Sequence, residues 1–367
     1  MGVGILTLQA TPTPDEPPGQ AASPPVAVPG GTGTDLESLA KRLGEARVIV
    51  IGETHNRLDH HQNQLSLIQH LQAQGKPLAV GLEMVHQPFQ STLDAYVAGN
   101  HDEAELLEGI EYFTRWGYDY RLYRPIFRFA REQGLPLVAL NLPHEITRTV
   151  AANGMEGLTP EQKAQIPEMV LEEPEAYRAR LKEVFDRHPG DRSFENFLQV
   201  QRLWDAGMAA AAAEFLKANP DTTLVILAGS GHVAAPASIP ERLAARGPWT
   251  IQTINQQDRL DAGGPPVDWI VLTDRQDLPP AGRLGAYLES TEAGVTIRRF
   301  GDESGAKAAG LQVGDRLVRV ADRSVSDYAD VKLALLDRQV GDTVSVTVMR
   351  DPEGADPRER RMNVTLR

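Results

Sequence analysis

Residues 47–64 read RVIVIGETHNRLDHHQNQ, and no other stretch limits the fold so tightly. Arg47 to Ile51 is a β-branched apolar run that stops at Gly52. A run without polar alternation is a strand covered on both faces, the mark of a parallel sheet flanked by helices. Just past it stand Glu53, His55, His60 and His61, all able to act as acids, bases or metal ligands. Open α/β sheets build their sites outside the carboxyl ends of strands. A helix starting near Leu58 would put His61 with Leu65, and His60 with Gln64, on shared faces.

The same pattern returns along the chain. Pro77–Met84, Leu135–Leu140 and Thr222–Ala228 read as further buried strands, Trp249–Asn255 as a fifth and Val267–Leu272 as a sixth. Helical spacing fills the intervals: 35–43, 65–75, 89–98, 101–107, 126–133 and most of 145–218, clearest over 193–216. The alternation predicts an α/β fold, a parallel sheet with helices on both faces. Glu83, Asn141 and His232 fall at strand ends as Glu53 and His55 do, which points to one convergent site. Gly52, Gly229 and Gly231 would let backbone approach a ligand there.

At 367 residues the chain suits two domains. Its net charge of −13 argues against a nucleic-acid partner, which needs a basic face. With no cysteine there are no disulfides, thiolate metal sites or Cys nucleophiles. No run reaches the roughly 18 apolar residues of a membrane span. Residues 1–34 are Pro- and Gly-rich and are expected to form a disordered linker. Leu8-Gln9-Ala10 resembles the end of a lipoprotein signal, with Thr11 where the lipidated Cys would stand. An exported protein, periplasmic or membrane-tethered, with its signal trimmed away, is the expectation.

The residues allow two chemistries. His55, Glu83 and His232 could hold a divalent transition metal. Together with Glu53 they could equally do metal-free acid–base work, a carboxylate orienting each His. Glu83 could instead pair with Arg47 or Arg57. His60, His61, Asn141, Gln201 and Asp205 are expected to brace the site or face its ligand. His70, His86, His101 and His188 read as surface residues, and His144 as a strand-end polar group. Glu111 to Pro125 holds Tyr112, Tyr118, Tyr120 and Tyr123 in a chain only 6% aromatic. That stretch is either a hydrophobic lid or a platform for a flat ligand, with a phenolate available to haem iron. No P-loop, GxSxG, HExxH or strand-borne GxGxxG occurs.

After the Pro-containing segment 274–281 the character changes. Short strands over 285–288, 294–300, 316–320, 343–350 and 360–366 bracket one helix, 328–336. This is a small, mostly β module. The expected domains are therefore 35–275 and 276–367, preceded by the linker.

Two resemblances follow from the motifs. Gly52-Glu53-Thr54-His55, His60-His61, Gln64, Gly81-Leu82-Glu83-Met84, Tyr123-Arg124-Pro125, Asn141-Leu142-Pro143, Trp204-Asp205 and Gly229-Ser230-Gly231-His232 resemble the ChaN-like haem-binding uptake proteins of the Tiki superfamily. That resemblance implies an exported bacterial lipoprotein that binds haem across a homodimer through a Tyr ligand and serves iron acquisition. The candidates are Tyr112, Tyr118, Tyr120 and Tyr123. The same superfamily includes metal-dependent proteases and erythromycin-esterase-like hydrolases, in which His55, His232 and Glu83 would be the working residues. Residues 282–350 resemble a PDZ domain, through Arg283-Leu284-Gly285-Ala286 and Val313-Gly314-Asp315. That implies capture of a peptide or protein C-terminus by Leu284, Gly285, Ala286, Val331 and Leu335. Three functions stand open: haem uptake, metal-dependent peptide or ester hydrolysis, and a scaffold acting through the PDZ alone.

Overall fold

The structure is a computed structural model that describes residues 34–187, 193–234, 236–259, 266–350 and 358–367, with the backbone of Val26–Val28. The chain divides into two compact units, Met1–Asp277 and Leu278–Arg367.

The first unit is built on a seven-stranded sheet. Its strands are β1 (Val26–Val28), β2 (Val48–Glu53), β3 (Leu78–His86), β4 (Leu137–Asn141), β5 (Thr223–Gly229), β6 (Ile251–Gln257) and β7 (Trp269–Leu272), in the order β1-β7-β6-β2-β5-β3-β4. Strands β2 to β7 run parallel, as the alternating pattern predicts, and β1 adds antiparallel to β7. The β1 segment lies inside the stretch expected to be disordered linker, so that expectation is corrected at 26–28. The rest of residues 1–33 lies outside the described residues.

Every residue of β2, β3, β4 and β5 is buried. The reason is the β-branched and Leu-rich content: each such side chain removed from water stabilises by roughly 1.5–3 kcal/mol. Strand β6 is only half-buried, which is why its sequence is more polar. The helix Phe194–Ala218 starts where Ser193 caps it and packs Met208, Ala209, Ala212 and Ala213 against β2, β4 and β5. Small side chains let this helix lie close to the sheet. The helix Tyr120–Gln133 keeps Pro125 inside its second turn, so the expected start at Ile126 moves back by six residues. It is capped by Asp119 and closed by Gly134 in the left-handed region. None of the helices among the described residues is long and apolar enough to cross a membrane.

The second unit is an antiparallel sheet of β8 (Ala286–Thr291), β9 (Gly294–Phe300), β10 (Arg316–Val320), β11 (Arg323–Ser324), β12 (Thr343–Arg350) and β13 (Arg358–Thr365), ordered β13-β12-β10-β9-β8, with β11 on β10. The helix Tyr328–Ala334 lies beside it. Asp315 is 1% exposed and receives both Arg350 Nε (2.7 Å) and Nη2 (2.8 Å), a bidentate pair that ties β12 to the turn before β10. Gly305 leaves no room for a side chain: a Cβ there would stand 1.9 Å from the Thr365 carbonyl oxygen. Gly305→Ala is therefore expected to lower the stability of this unit by at least the upper part of the overpacking range, about 1–3 kcal/mol. A thermal melt in which the unit's transition does not move would refute that.

Candidate functional site

The carboxyl ends of β2, β3 and β5 place their polar residues together. Glu53 is the last residue of β2 and its carboxylate is buried. Its Oε1 accepts from His55 Nδ1 (2.8 Å) and from the Tyr123 hydroxyl (2.6 Å), and its Oε2 accepts from Gln64 Nε2 (2.7 Å). His61 stands 3.5 Å away, with Nδ1 toward Glu53 and Gln64 and Nε2 on the His55 carbonyl (3.1 Å). Burial works to raise the Glu53 carboxyl, but His61 and His55 outweigh it, aided by the Tyr123 hydroxyl, and hold it at about 2. Burial also works against a charge on His55, but the Glu53 hydrogen bond and the Glu83 charge prevail and raise it.

A second unit of the same design follows β5. His232 Nδ1 donates to Asp205 Oδ1 (2.7 Å), and the Tyr177 hydroxyl donates to Asp205 Oδ2 (2.7 Å). Burial lowers His232, yet Asp205 and Glu83 more than reverse this and push it up to about 9. Between the two units sits Glu83. Its Oε2 accepts from the Gly229 amide (2.5 Å) and its Oε1 lies 3.6 Å from His232 Nε2. The His55 ring passes over Gly229 so closely that a Cβ there would meet His55 Nε2 at 3.0 Å. Each histidine is thus aimed by a carboxylate that a tyrosine holds, and each feels the charge of Glu83.

Several expectations change. Arg47 bonds the carbonyls of Asn219 and Thr222, and Arg57 pairs with Asp59 and Asp258, so neither is the partner of Glu83. His55, Glu83 and His232 are neighbours, but among the described residues no group of three His, Cys, Asp or Glu side chains is arranged to hold a metal ion. The Nδ1 atoms of both rings and one Glu83 oxygen are already committed, which leaves the two Nε2 atoms and Glu83 Oε1 as the remaining donors. His60 faces inward: its Nδ1 accepts from the Thr54 amide (3.0 Å), and burial, against the pull of Asp59, lowers it to about 4. It pins the turn that presents His55. His86 is 5% exposed rather than on the surface, and burial, then Arg115 and His144, lower it to about 4. His144 opens the helix His144–Asn153 and is half-buried. Asn141 donates to the Glu83 carbonyl (3.1 Å) and so braces β3. Gln201 is half-buried one turn before Asp205. His188 lies outside the described residues.

The four tyrosines separate. Tyr112, Tyr120 and Tyr123 are at most 1% exposed, with hydroxyls in the interior. Tyr118 is half-buried and packs on His55 at 4.7 Å between ring centroids, while Trp116 meets the same ring edge-on at 4.9 Å. Burial, then Glu83 and Glu53, raise the Tyr118 phenol. Trp116 and Tyr177 are site residues that spacing did not reveal; the stretch 112–123, with six aromatic residues, marks the first, and nothing local marks the second.

The segment after β7 is fastened to this region. Gln276 accepts from the Leu58 amide (3.0 Å) through its carbonyl and donates its amide to Asp59 Oδ1 (3.0 Å), at the first turn of the helix Leu58–Gln72.

In the second unit, β8 is the end strand of its sheet and Gly285, just before it, has φ +72°. Leu284 and Val331 are buried in the small core, with Ala286 and Leu335 packed against it. Tyr287 and Tyr328 are exposed, and the Arg299 guanidinium lies 3.3 Å over the Tyr287 ring.

A doubly covered parallel sheet with paired carboxylate–histidine units at its carboxyl edge, followed by a small antiparallel module, defines the class. The chain belongs to the haem-binding uptake family of ChaN, in the Tiki superfamily, whose model matches residues 39–243. A PDZ domain model matches residues 282–364. The solved structure of cofacial haem binding to ChaN of Campylobacter jejuni has a TM-score of 0.56 and 17% identity, covering 68% of this chain and 97% of that one. The likeness is one of fold. The peptide-bound PDZ domain of a carboxy-terminal protease from Vibrio cholerae gives a TM-score of 0.19 and 21% identity over 22% of this chain and 91% of that one. Protein RETICULATA-RELATED 5, chloroplastic, of Arabidopsis thaliana is 25% identical over 142 residues, 37% of this chain and 19% of that protein's length.

Proposed function

We propose that the first unit binds haem and the PDZ unit captures a peptide or protein C-terminus, in an exported bacterial protein of iron acquisition that works as a homodimer. The observation that carries the haem reading is the aromatic mouth. Of the four tyrosines of the 112–123 stretch, Tyr118 alone is not buried, and it stands with Trp116 against His55. The donor chemistry fits: phenol oxygen and imidazole nitrogen are both ligands of haem iron, and an indole supplies a flat apolar face. Tyr118 is the residue we assign to the iron, with His55 beside it. The PDZ reading rests on the open edge of β8, where a peptide adds as a strand and the loop around Gly285 receives its carboxylate.

The paired histidines favour a second reading, hydrolysis by acid–base catalysis. His232 is charged at neutral pH and His55 is oriented by Glu53, so one can give a proton while the other aligns water. One experiment separates the two. Haem is titrated into the full chain and into Tyr118→Phe, and the same sample is screened against esters and peptides. Saturable Soret growth at about one haem per chain, weakened at least tenfold in Tyr118→Phe, is expected. Haem that fails to saturate, with ester or peptide turnover that Glu83→Gln removes, would replace it with the hydrolase.

A further inference from the structure

Four arginines gather behind His232, around the Tyr177–Asp205 pair. Arg180 comes from the helix Glu175–Asp186, Arg202 from Phe194–Ala218, Arg242 from Ile239–Ala244 and Arg246 from the turn after it. Arg242 is 0% exposed. Its Nε donates to the Ala237 carbonyl (2.5 Å), but Nη1 and Nη2 are buried without a hydrogen-bond partner. The buried Nε atoms of Arg180, Arg202 and Arg246 have none either, although Arg246 Nη2 donates to the Glu168 carbonyl (2.5 Å). The Arg180 guanidinium lies 5.7 Å over the Tyr177 ring and reaches the Gly231 carbonyl (3.1 Å), next to His232. Burial opposes the Arg242 charge, Asp205 and Tyr177 support it, and Arg202 and Arg246 oppose it.

Three carboxylates of this region, Asp205, Glu173 and Glu241, are occupied. Asp205 holds His232 and Tyr177, Glu173 pairs with Arg202 (3.3 Å) and Arg178 (3.6 Å), and Glu241 accepts from the Ala237 amide (2.6 Å). Ala237 itself is held at φ +55°, a conformation that costs a residue with a Cβ and persists only when its surroundings enforce it. The loop is thereby fixed to present its carbonyl to Arg242. A guanidinium has five N–H donors, and leaving two of its nitrogens dry and unpaired is strongly unfavourable. In a chain of net charge −13, this corner concentrates positive charge with open donors.

We propose that Arg242, with Arg180, Arg202 and Arg246 at the rim, forms a recessed oxyanion subsite beside His232 that takes a phosphate or a carboxylate. The oxyanion is either free in solution or carried by the ligand of the neighbouring site; the second source rests on the haem reading, since haem bears two carboxylates, and the first does not.

The test uses the full chain. Thermal melts are run in a chloride buffer and in phosphate at matched ionic strength, for the wild type, Arg242→Met and the rim variant Arg202→Gln. Haem and its dimethyl ester, which lacks the carboxylates, are titrated in parallel. The expected result is a saturable rise in melting temperature with phosphate in the wild type. Arg242→Met should lose that rise and should melt above the wild type without phosphate, because its buried unpaired charge is gone. Arg202→Gln should need about tenfold more phosphate, the loss of one charge-assisted contact. Weaker binding of the ester than of haem assigns the oxyanion to the ligand; equal binding, with the phosphate response intact, assigns it to free anion. Absence of haem binding with an intact phosphate response would end the haem reading and leave the subsite. The subsite is overturned if phosphate leaves the wild type unmoved while haem and its ester bind alike or not at all. It is also overturned if Arg242→Met melts below the wild type in chloride and keeps the full phosphate response.

Discussion

Replacing Glu53 with alanine is expected to cost the first unit about 3–5 kcal/mol, the largest single loss available at the site. The carboxylate is 1% exposed and receives donors from His55, Tyr123 and Gln64 at 2.6 to 2.8 Å, with His61 at 3.5 Å. Alanine removes both oxygens at once. The Tyr123 hydroxyl, which is fully buried, and the Gln64 amide then have no acceptor, and each buried unsatisfied donor costs about 1–3 kcal/mol. The charge facing His61 also disappears. Glu53→Gln should be milder, because one oxygen remains, although its new NH2 must face Gln64 or Tyr123. Urea unfolding followed by tryptophan fluorescence reads this directly, since Trp116 lies against His55. A shift below about 1 kcal/mol for the alanine variant would mean that the network is not what holds the strand end together.

Stability of the same unit is expected to peak near neutral pH and to fall by about 3 kcal/mol per titrating histidine on either side, at 1.36 kcal/mol for each pH unit of displacement. The alkaline limb belongs chiefly to His232, with His55, which is also raised, adding to it. The His232 folded value of about 9 lies above the unfolded one, so its contribution is complete below the unfolded value and is lost as the pH rises through about 9. The acid limb belongs to His60 and His86, both lowered to about 4 by burial, foremost among the causes. Their contribution is present above the unfolded value and is lost as the pH falls toward 4. Glu53, held at about 2, extends the loss at lower pH. Asp205→Asn separates the limbs: it removes the first support of the His232 charge and should flatten the alkaline side while leaving the acid side in place. An alkaline limb unchanged in that variant would assign it to other groups.

The strands of the first unit were legible because residues 48–51, 78–82, 137–140 and 224–228 are runs without a polar residue, the mark of a doubly covered sheet. The positions of Glu53, Glu83, Asn141 and His232 followed from the ends of those runs. Their partners did not follow. Tyr177 meets Asp205 only because the helices Glu175–Asp186 and Phe194–Ala218 pack together, and no local spacing carries that information. The same holds for Glu83, whose companions come from β5 and its loop rather than from a nearby arginine. Tyr112, Tyr118, Tyr120 and Tyr123 look alike in sequence; helix phase and depth bury three of them and leave Tyr118 beside His55. His86 was misplaced because a polar residue at a strand end says nothing about what covers it. Val26–Val28 was missed because three residues in a Pro- and Gly-rich stretch give too short a pattern to read.

The bonds of Gln276 have a mechanical meaning. Two hydrogen bonds of 3.0 Å stitch the chain leaving the first unit to Leu58 and Asp59, one residue short of His60. Tension drawn along the chain from beyond Asp277 arrives at that stitch before it can reach the sheet. The first element to be loaded is the turn that fixes His55 and the helix end that carries His60 and His61, while the strands behind them are shielded. A pull on the trailing segment would therefore be felt first at the rim of the histidine site.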